Sequence, residues 1–169
     1  MSIQIRSETD DDKAAVYDIN AAAFPTETEA RLVDALRESA SEYISQVAVE
    51  AQIVVGHIMF TPVTLEPFED LRLMGLAPMA VSPSLQRGGI GSQLVKTGLL
   101  MCTELGVGAV AVLGHPKYYP RFGFTPASQW GIKSEYDVPE EVFMMMELSP
   151  GYLHGYQGII RYDAAFADI

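Results

Sequence analysis

The sequence predicts an α/β fold, a mixed and mostly antiparallel sheet around one central parallel β-α-β unit, flanked by helices. Three observations predict it. The apolar run at residues 76–81 passes through the turn Ser82-Pro83-Ser84-Leu85 and the glycine-rich stretch at 86–91 into a helical pattern from Ser92 to about Leu105. Residues 107–113 then form a second short apolar run, which reads as a buried strand parallel to the one before the helix; the crossover is expected to be right-handed. Upstream, residues 46–50 and 53–60 flank a tight turn at Ala51-Gln52 and read as an antiparallel hairpin.

The remaining elements follow in chain order. Residues 3–6 alternate apolar and polar side chains and read as an opening strand. Thr9-Asp10-Asp11-Asp12 supplies caps and negative charge for a helix running to about Ala23, with Val16, Ile19 and Ala23 as its apolar stripe. Phe24-Pro25 ends it, because the residue before a proline is pushed out of the helical region. Thr26 and Glu29 have capping-box spacing, so a second helix is expected from Glu27 to about Ser39, burying Leu32, Val33 and Leu36. A polar loop around residues 66–72 is expected to lead into the strand at 73–81. Beyond the β-α-β unit, a loop carrying Trp130 and Tyr136 leads to a strand at 142–148, and residues 158–162 provide a last strand. With no linker, internal repeat or low-complexity stretch, the 169 residues are expected to form one domain, 1–169.

A chain of this length buries roughly two thirds of its unfolded surface, so its stability requires neither disulfide nor metal. The single Cys102 fits a reducing compartment. Residues 1–8 lack a signal peptide's basic start and long apolar run, and no uncharged apolar run approaches a membrane span. These features predict a cytoplasmic protein with no membrane partner. The net charge of −11 argues against nonspecific nucleic-acid binding, which needs clustered Lys and Arg. An acidic surface would favour a cationic or amine substrate through long-range steering.

The strand, glycine-rich turn and helix together create a seat for phosphate. A helix start has four N–H groups without internal partners and about half a positive charge from aligned peptide dipoles. Glycines let the backbone take positive φ and let a ligand come close. Two common phosphate motifs do not fit. Lys96-Thr97 follows Val95 rather than the glycine of a Walker sequence, and the third glycine of a dinucleotide fingerprint starting at Gly89 would fall on Leu94. The pattern that fits is Gln-x-x-Gly-x-Gly, Gln86-Arg87-Gly88-Gly89-Ile90-Gly91.

That hexapeptide resembles the coenzyme A pyrophosphate loop of the GCN5-related N-acetyltransferases (GNAT). Further along, Tyr118-Tyr119-Pro120-Arg121-Phe122-Gly123-Phe124 resembles the same family's Phe-Tyr-x-Lys-x-Gly-Phe signature, and it follows the next strand, where the family has it. The phrases Gly56-His57-Ile58-Met59-Phe60 and Phe143-Met144-Met145-Met146-Glu147-Leu148 look like a bacterial YhbS-like branch of the family. The resemblance covers nearly the whole chain and implies the acyl-CoA N-acyltransferase (GNAT) fold. It also implies acetyl-CoA as cosubstrate, with no metal, and transfer of the acetyl group to a primary amine by direct transfer in a ternary complex. The acceptor could be a small-molecule amine or a peptide amino group, and a homodimer is a possible assembly. A noncatalytic acyl-CoA-binding regulator and a transferase of another acyl group remain open as alternatives.

The family's site residues carry over by position. Main-chain groups of Met79, Ala80 and Val81 would pair with the pantetheine arm. The loop Gln86, Arg87, Gly88, Gly89, Ile90, Gly91 and Ser92 would hold the pyrophosphate, mostly through amides. Tyr119 matches the tyrosine near the coenzyme A sulfur and would be the general acid, with neighbouring Tyr118 as the alternative. His115 stands where many relatives have Asn, and Arg121 replaces Lys. For the acceptor side, Glu29 is the candidate, although a capping role accounts for it without chemistry. Glu27, His57 and a water chain are alternatives for the general base. Cys102 shares a helical face with Leu94, Val95, Gly98 and Leu105, which fits a core cysteine. His57, His115 and His154 show no metal-ligand spacing.

Overall fold

Alternation along the hairpin decides how the sheet is covered. A computed structural model describes residues 2–168; Met1 and Ile169, the two ends of the expected domain, lie outside the described residues. The strands are β1 (Gln4–Ser7), β2 (Ile44–Glu50), β3 (Ile53–Glu66), β4 (Phe68–Val81), β5 (Ala109–Leu113), β6 (Thr125–Pro126), β7 (Ile132–Ser134), β8 (Phe143–Glu147) and β9 (Gly158–Arg161). The helices are α1 (Lys13–Ala23), α2 (Thr28–Ser39) and α3 (Ile90–Glu104). The strands form one mixed sheet in the order β1-β2-β3-β4-β5-β8-β6, with β9 pairing β3 and β7. The β4–β5 and β7–β9 pairs are parallel and the others antiparallel, so the predicted fold class holds.

Successive strand residues point to opposite faces. Ile58 and Phe60 of β3, Met74 and Leu76 of β4 and Val110 and Val112 of β5 pack with Ile90, Leu94, Val95, Leu99 and Cys102 of α3. Met59 and Val47 point the other way, into a cluster with Val16 of α1 and Leu32, Val33 and Leu36 of α2. Helix α3 crosses the sheet so closely that a Cβ on Gly98 would lie 2.2 Å from the Phe60 ring. The hairpin turn forms where expected, with Ala51 and Gln52 both left-handed at φ 50° and 69°.

Two local expectations are corrected and one detail is added. The capping box of Thr26 and Glu29 does not form. Helix α2 starts at Thr28, after Glu27, so the third helical position is Ala30 and a glutamate at 29 cannot reach back as a box requires. Thr26 Oγ1 instead accepts the Thr28 amide at 3.3 Å. The polar loop expected around residues 66–72 is strand: β3 and β4 continue to a two-residue turn at Glu66-Pro67, with Leu65 opposite Phe68. Strand β9 pairs this extension through Thr64, Leu65 and Glu66, and Arg161 donates to Glu66 at 2.7 Å, so polar side chains at the sheet's end are accommodated. Finally, a 3-10 turn at Asp10–Asp12 precedes α1. It is fixed by Asp12, which accepts the Thr9 amide at 2.7 Å and both Arg6 guanidinium nitrogens at 2.7 and 3.0 Å. Those hydrogen bonds from Arg6 hold the Asp12 carboxyl well below the usual carboxylate range.

Candidate active site

The central feature is an open strand edge next to a helix start. Strand β4 pairs with β5 only from Leu73 opposite Ala109 to Leu76 opposite Val112. Strand β5 ends at Leu113 while β4 runs on to Val81, held on its other side by β3 through Met79, Ala80 and Val81. Among the described residues no strand pairs with the β5 side of residues 77–81. An unpaired edge of this kind is a template for an extended amide-bearing ligand.

At the end of that edge the chain turns through Pro83–Leu85 into the glycine-rich loop. Gln86 Nε2 donates to the Val81 carbonyl at 3.1 Å and ties loop to strand. Arg87 (φ 70°) and Gly89 (φ 90°) are both left-handed, which turns the backbone into α3. The helical ladder begins with the Gln93 amide on the Gly89 carbonyl at 3.1 Å. The amides of Ile90, Gly91 and Ser92 precede it and have no acceptor within the helix. The groove outside them has a cavity volume of about 420 Å³ and is lined by Met79, Val81, Gln86, Arg87, Gly89, Gly91, Ser92, Tyr118 and Arg121. A Cβ on Gly91 would sit 3.3 Å from the Tyr118 hydroxyl, so a larger residue there intrudes into the groove. Two cations flank a cradle of amides, which suits a polyphosphate.

The structure separates the two tyrosines. Tyr118 lines the groove, its hydroxyl 3.1 Å from Ser92 Oγ. Arg121 lies over its ring, 4.5 Å from the centroid, and donates to its carbonyl at 3.0 Å. Tyr119 turns inward. Its ring packs edge-on against Phe124 at 5.7 Å and Tyr118 at 5.0 Å. It also packs against the backbone just past β5, where a Cβ on Gly114 would be 2.2 Å from the ring. Burial, and secondarily Tyr118, pushes the Tyr119 phenol up to about 12. Tyr119 therefore lies behind the groove, at the point where β4 and β5 part. Sequence reasoning did not place Arg121 and Tyr118 in the groove. The available signal was their three-residue spacing after β5, which returns both to α3.

Ala80 and Ile90 are buried, so their side chains serve the core and only their main chain is available to a ligand. Gly88 lies in the loop without lining the groove. Glu29 is not brought to the groove. It shares the buried stripe of Leu32, Val33 and Leu36 on α2, with Oε1 buried and, among the described residues, without a hydrogen-bond partner. His57 is fully buried: Nδ1 accepts from Asn20 Nδ2 at 3.1 Å, which leaves the Nε2 proton for Ser45 Oγ at 2.8 Å. Burial, with nearby Arg37, pushes its pKa down to about 3, so it is neutral. Burial raises the Cys102 thiol to about 12, which removes it as a nucleophile. His115 caps a turn by accepting the Lys117 amide at 3.1 Å. Among the described residues no group of three or more His, Cys, Asp or Glu side chains could hold a metal ion, and no helix is long and apolar enough to cross a membrane.

A second cavity of about 220 Å³ opens where β4 and β5 part. Ala77 and Ala111 line it; they alternate with residues facing α3 and so point to the sheet's other face. Leu113, Tyr136, Tyr162 and Phe166 complete much of its wall.

A strand edge left open beside an amide-lined helix start defines an acyl-CoA-type transferase fold, and comparison agrees: the chain belongs to the GNAT acetyltransferases, the family model described as an acetyltransferase (GNAT) domain matching residues 4–127. Within that family it falls in the YhbS-like branch. It is 33% identical over 163 residues to the uncharacterized N-acetyltransferase YhbS of Escherichia coli K12, spanning 96% of this chain and 97% of the relative. It is 39% identical over 145 residues to the uncharacterized N-acetyltransferase YjhQ of the same strain, spanning 82% and 80%. The crystal structure of Escherichia coli YhbS in complex with CoA superposes with a TM-score of 0.92 at 31% identity, covering 98% of this chain and 92% of that one. A GNAT family acetyltransferase from Brucella melitensis in complex with acetyl-CoA gives 0.80 at 31% identity and 98% of both.

Proposed function

We propose that the whole chain, residues 1–169, is one acetyltransferase domain that moves the acetyl group of acetyl-CoA directly to a primary amine. The observation that carries this reading is the open β4 edge leading into the α3 amide groove. Its dimensions suit a ligand with an amide-bearing arm and a pyrophosphate, and Gly91 keeps the groove open. The relatives crystallised with CoA and acetyl-CoA support the same cosubstrate. Main-chain groups of Met79, Ala80 and Val81 pair with the pantetheine arm. Gln86 fixes the loop, and the amides of Arg87, Gly88, Gly89, Ile90, Gly91 and Ser92 receive the pyrophosphate. The Arg87 and Arg121 guanidinium groups neutralise it. No metal is required.

Acetyl-CoA supplies an activated acyl group as its thioester. As the new C–N bond forms and the C–S bond breaks, the amine nitrogen loses a proton and the sulfur gains one. Tyr119 is the donor. A phenol held near 12 stays protonated throughout the working pH range. Against a thiol of roughly 8.5 in water it is a weak acid. It donates its proton as the C–S bond breaks and negative charge builds on the sulfur. Glu29 is the acceptor-side candidate; it lines neither the groove nor the cavity where β4 and β5 part, so the amine proton would reach it through water. The test is an acceptor screen with acetyl-CoA that follows free thiol release and identifies the acetylated product by mass. Turnover supports the reading; tight CoA binding without turnover across amines and peptides favours a noncatalytic acyl-CoA-binding regulator.

A further inference from the structure

We propose that the cavity at the parting of β4 and β5 is the acceptor pocket, and that it takes an arylalkylamine, a primary amine on a short chain carrying an aromatic ring. The inference rests on the acetyltransferase reading above and extends it to the class of acceptor.

Location comes first. The pocket is formed by Leu76 and Ala77, where β4 loses its β5 partner, and by Ala111 and Leu113 at the end of β5. Gly114 follows immediately and carries the Tyr119 ring. The pocket therefore meets the proposed reacting centre from the face opposite α3, so that acceptor and cosubstrate need not compete for space.

Chemistry comes second. Tyr136 and Tyr162 stack at 5.5 Å and 30°, and Phe166 lies 5.4 Å from Tyr162. This wall offers faces and edges to a further ring. The other lining residues are aliphatic, and among the described residues no carboxylate lines the cavity. Glu135, next to it in sequence, is engaged: it accepts the Tyr162 amide at 2.5 Å and lies 3.6 Å from Arg161. A polyamine would therefore bury its second ammonium unpaired, which is costly. At about 220 Å³ the cavity holds a ring and a short chain rather than a peptide.

The test uses the full chain, acetyl-CoA and four amines: tyramine, phenethylamine, spermidine and ethanolamine. Tyramine and phenethylamine are expected to exceed the other two in kcat/KM by about tenfold or more, the discrimination an apolar pocket provides. Leu113→Trp narrows the pocket at a partly exposed position. It should lower kcat/KM for both aromatic amines by about tenfold while CoA affinity by titration is unchanged. Better turnover of spermidine or ethanolamine overturns the proposal, as does an absence of turnover with all four while CoA binds. Indifference to Leu113→Trp overturns it too. A higher kcat/KM with hexanoyl-CoA than with acetyl-CoA would assign the pocket to the acyl chain instead. Failure of CoA itself to bind is a separate result, and it removes the acetyltransferase reading.

Discussion

The groove at the start of α3 and the cavity on the other face of the sheet are built in opposite ways. The groove is mostly backbone and mostly contiguous: Gln86, Arg87, Gly89, Gly91 and Ser92 fall within seven residues, and their amides rather than their side chains form the seat. The cavity is assembled from residues spread between Leu76 and Phe166, with aromatic rings forming much of its wall. The first can tolerate change in side chains so long as the backbone path survives. The second changes its ligand whenever a ring is lost or moved. On the proposed reading, the groove would hold the cosubstrate by backbone geometry and the cavity would select the acceptor by its side chains.

The comparison is sharpened most by Tyr119, which stands between the two regions. Tyr119→Phe keeps the ring packed on Gly114 and deletes the hydroxyl. Loss of a general acid to a fairly good leaving group should lower kcat by about 10- to 300-fold, roughly 1.4–3.4 kcal/mol in the barrier. CoA affinity should hold. Tyr118→Phe is the control; it removes the Ser92 contact on the groove side and should cost less in kcat. Steady-state turnover and CoA titration of both variants separate the roles, and full kcat in Tyr119→Phe across the pH range would remove the acid role.

The next largest effect probes the pocket's face of the sheet. His57 joins β3 to α1 through Asn20 and is held neutral, its pKa down to about 3 from 6.5. A lowered basic pKa means that the unfolded chain binds the extra proton. The contribution to stability is complete above pH 6.5 and is lost as pH falls from there through 3. Denaturant melts should show a loss of about 2–3 kcal/mol between pH 7.5 and roughly 4.5. His57→Gln should flatten much of that slope, and a slope unchanged by the substitution would show that another group controls it.

A smaller effect is expected in the groove. Gly91→Val brings a branched side chain against Tyr118 and Met79 at the helix start. It should weaken CoA binding by about 1 kcal/mol or more, read by isothermal titration on a folded variant. Unchanged affinity would detach the loop from the site. Smallest is Arg121→Gln, which removes one flanking cation and its stacking on Tyr118. About 0.5–1 kcal/mol of CoA affinity should go, more at low salt than at high. ATP or NAD binding more tightly than CoA would contradict the groove's assignment altogether.

By itself the sequence determined what depends on neighbours in the chain. The parallel β4-α3-β5 unit, the Ala51-Gln52 turn, the buried stripe of α2 and the Gln86 to Gly91 loop were legible because periodicity and turn chemistry act over a few residues. Those patterns say which way a side chain points but not what it meets. The capping-box reading failed at Thr26 because a helix start moved by one residue changes which side chain reaches back. The 66–72 segment looked like a loop because its polarity was visible and its pairing was not: β4 from Phe68 runs back along β3, and β9, about 95 residues on, pairs Glu66. Only the tertiary structure decided that Tyr118 faces the groove while Tyr119 faces the core, since adjacent residues in a short 3-10 turn differ only in what surrounds them. The same holds for the aromatic pocket. Tyr136, Tyr162 and Phe166 carry no spacing signal, and they become a wall because the chain's last segment folds back beneath the end of β5.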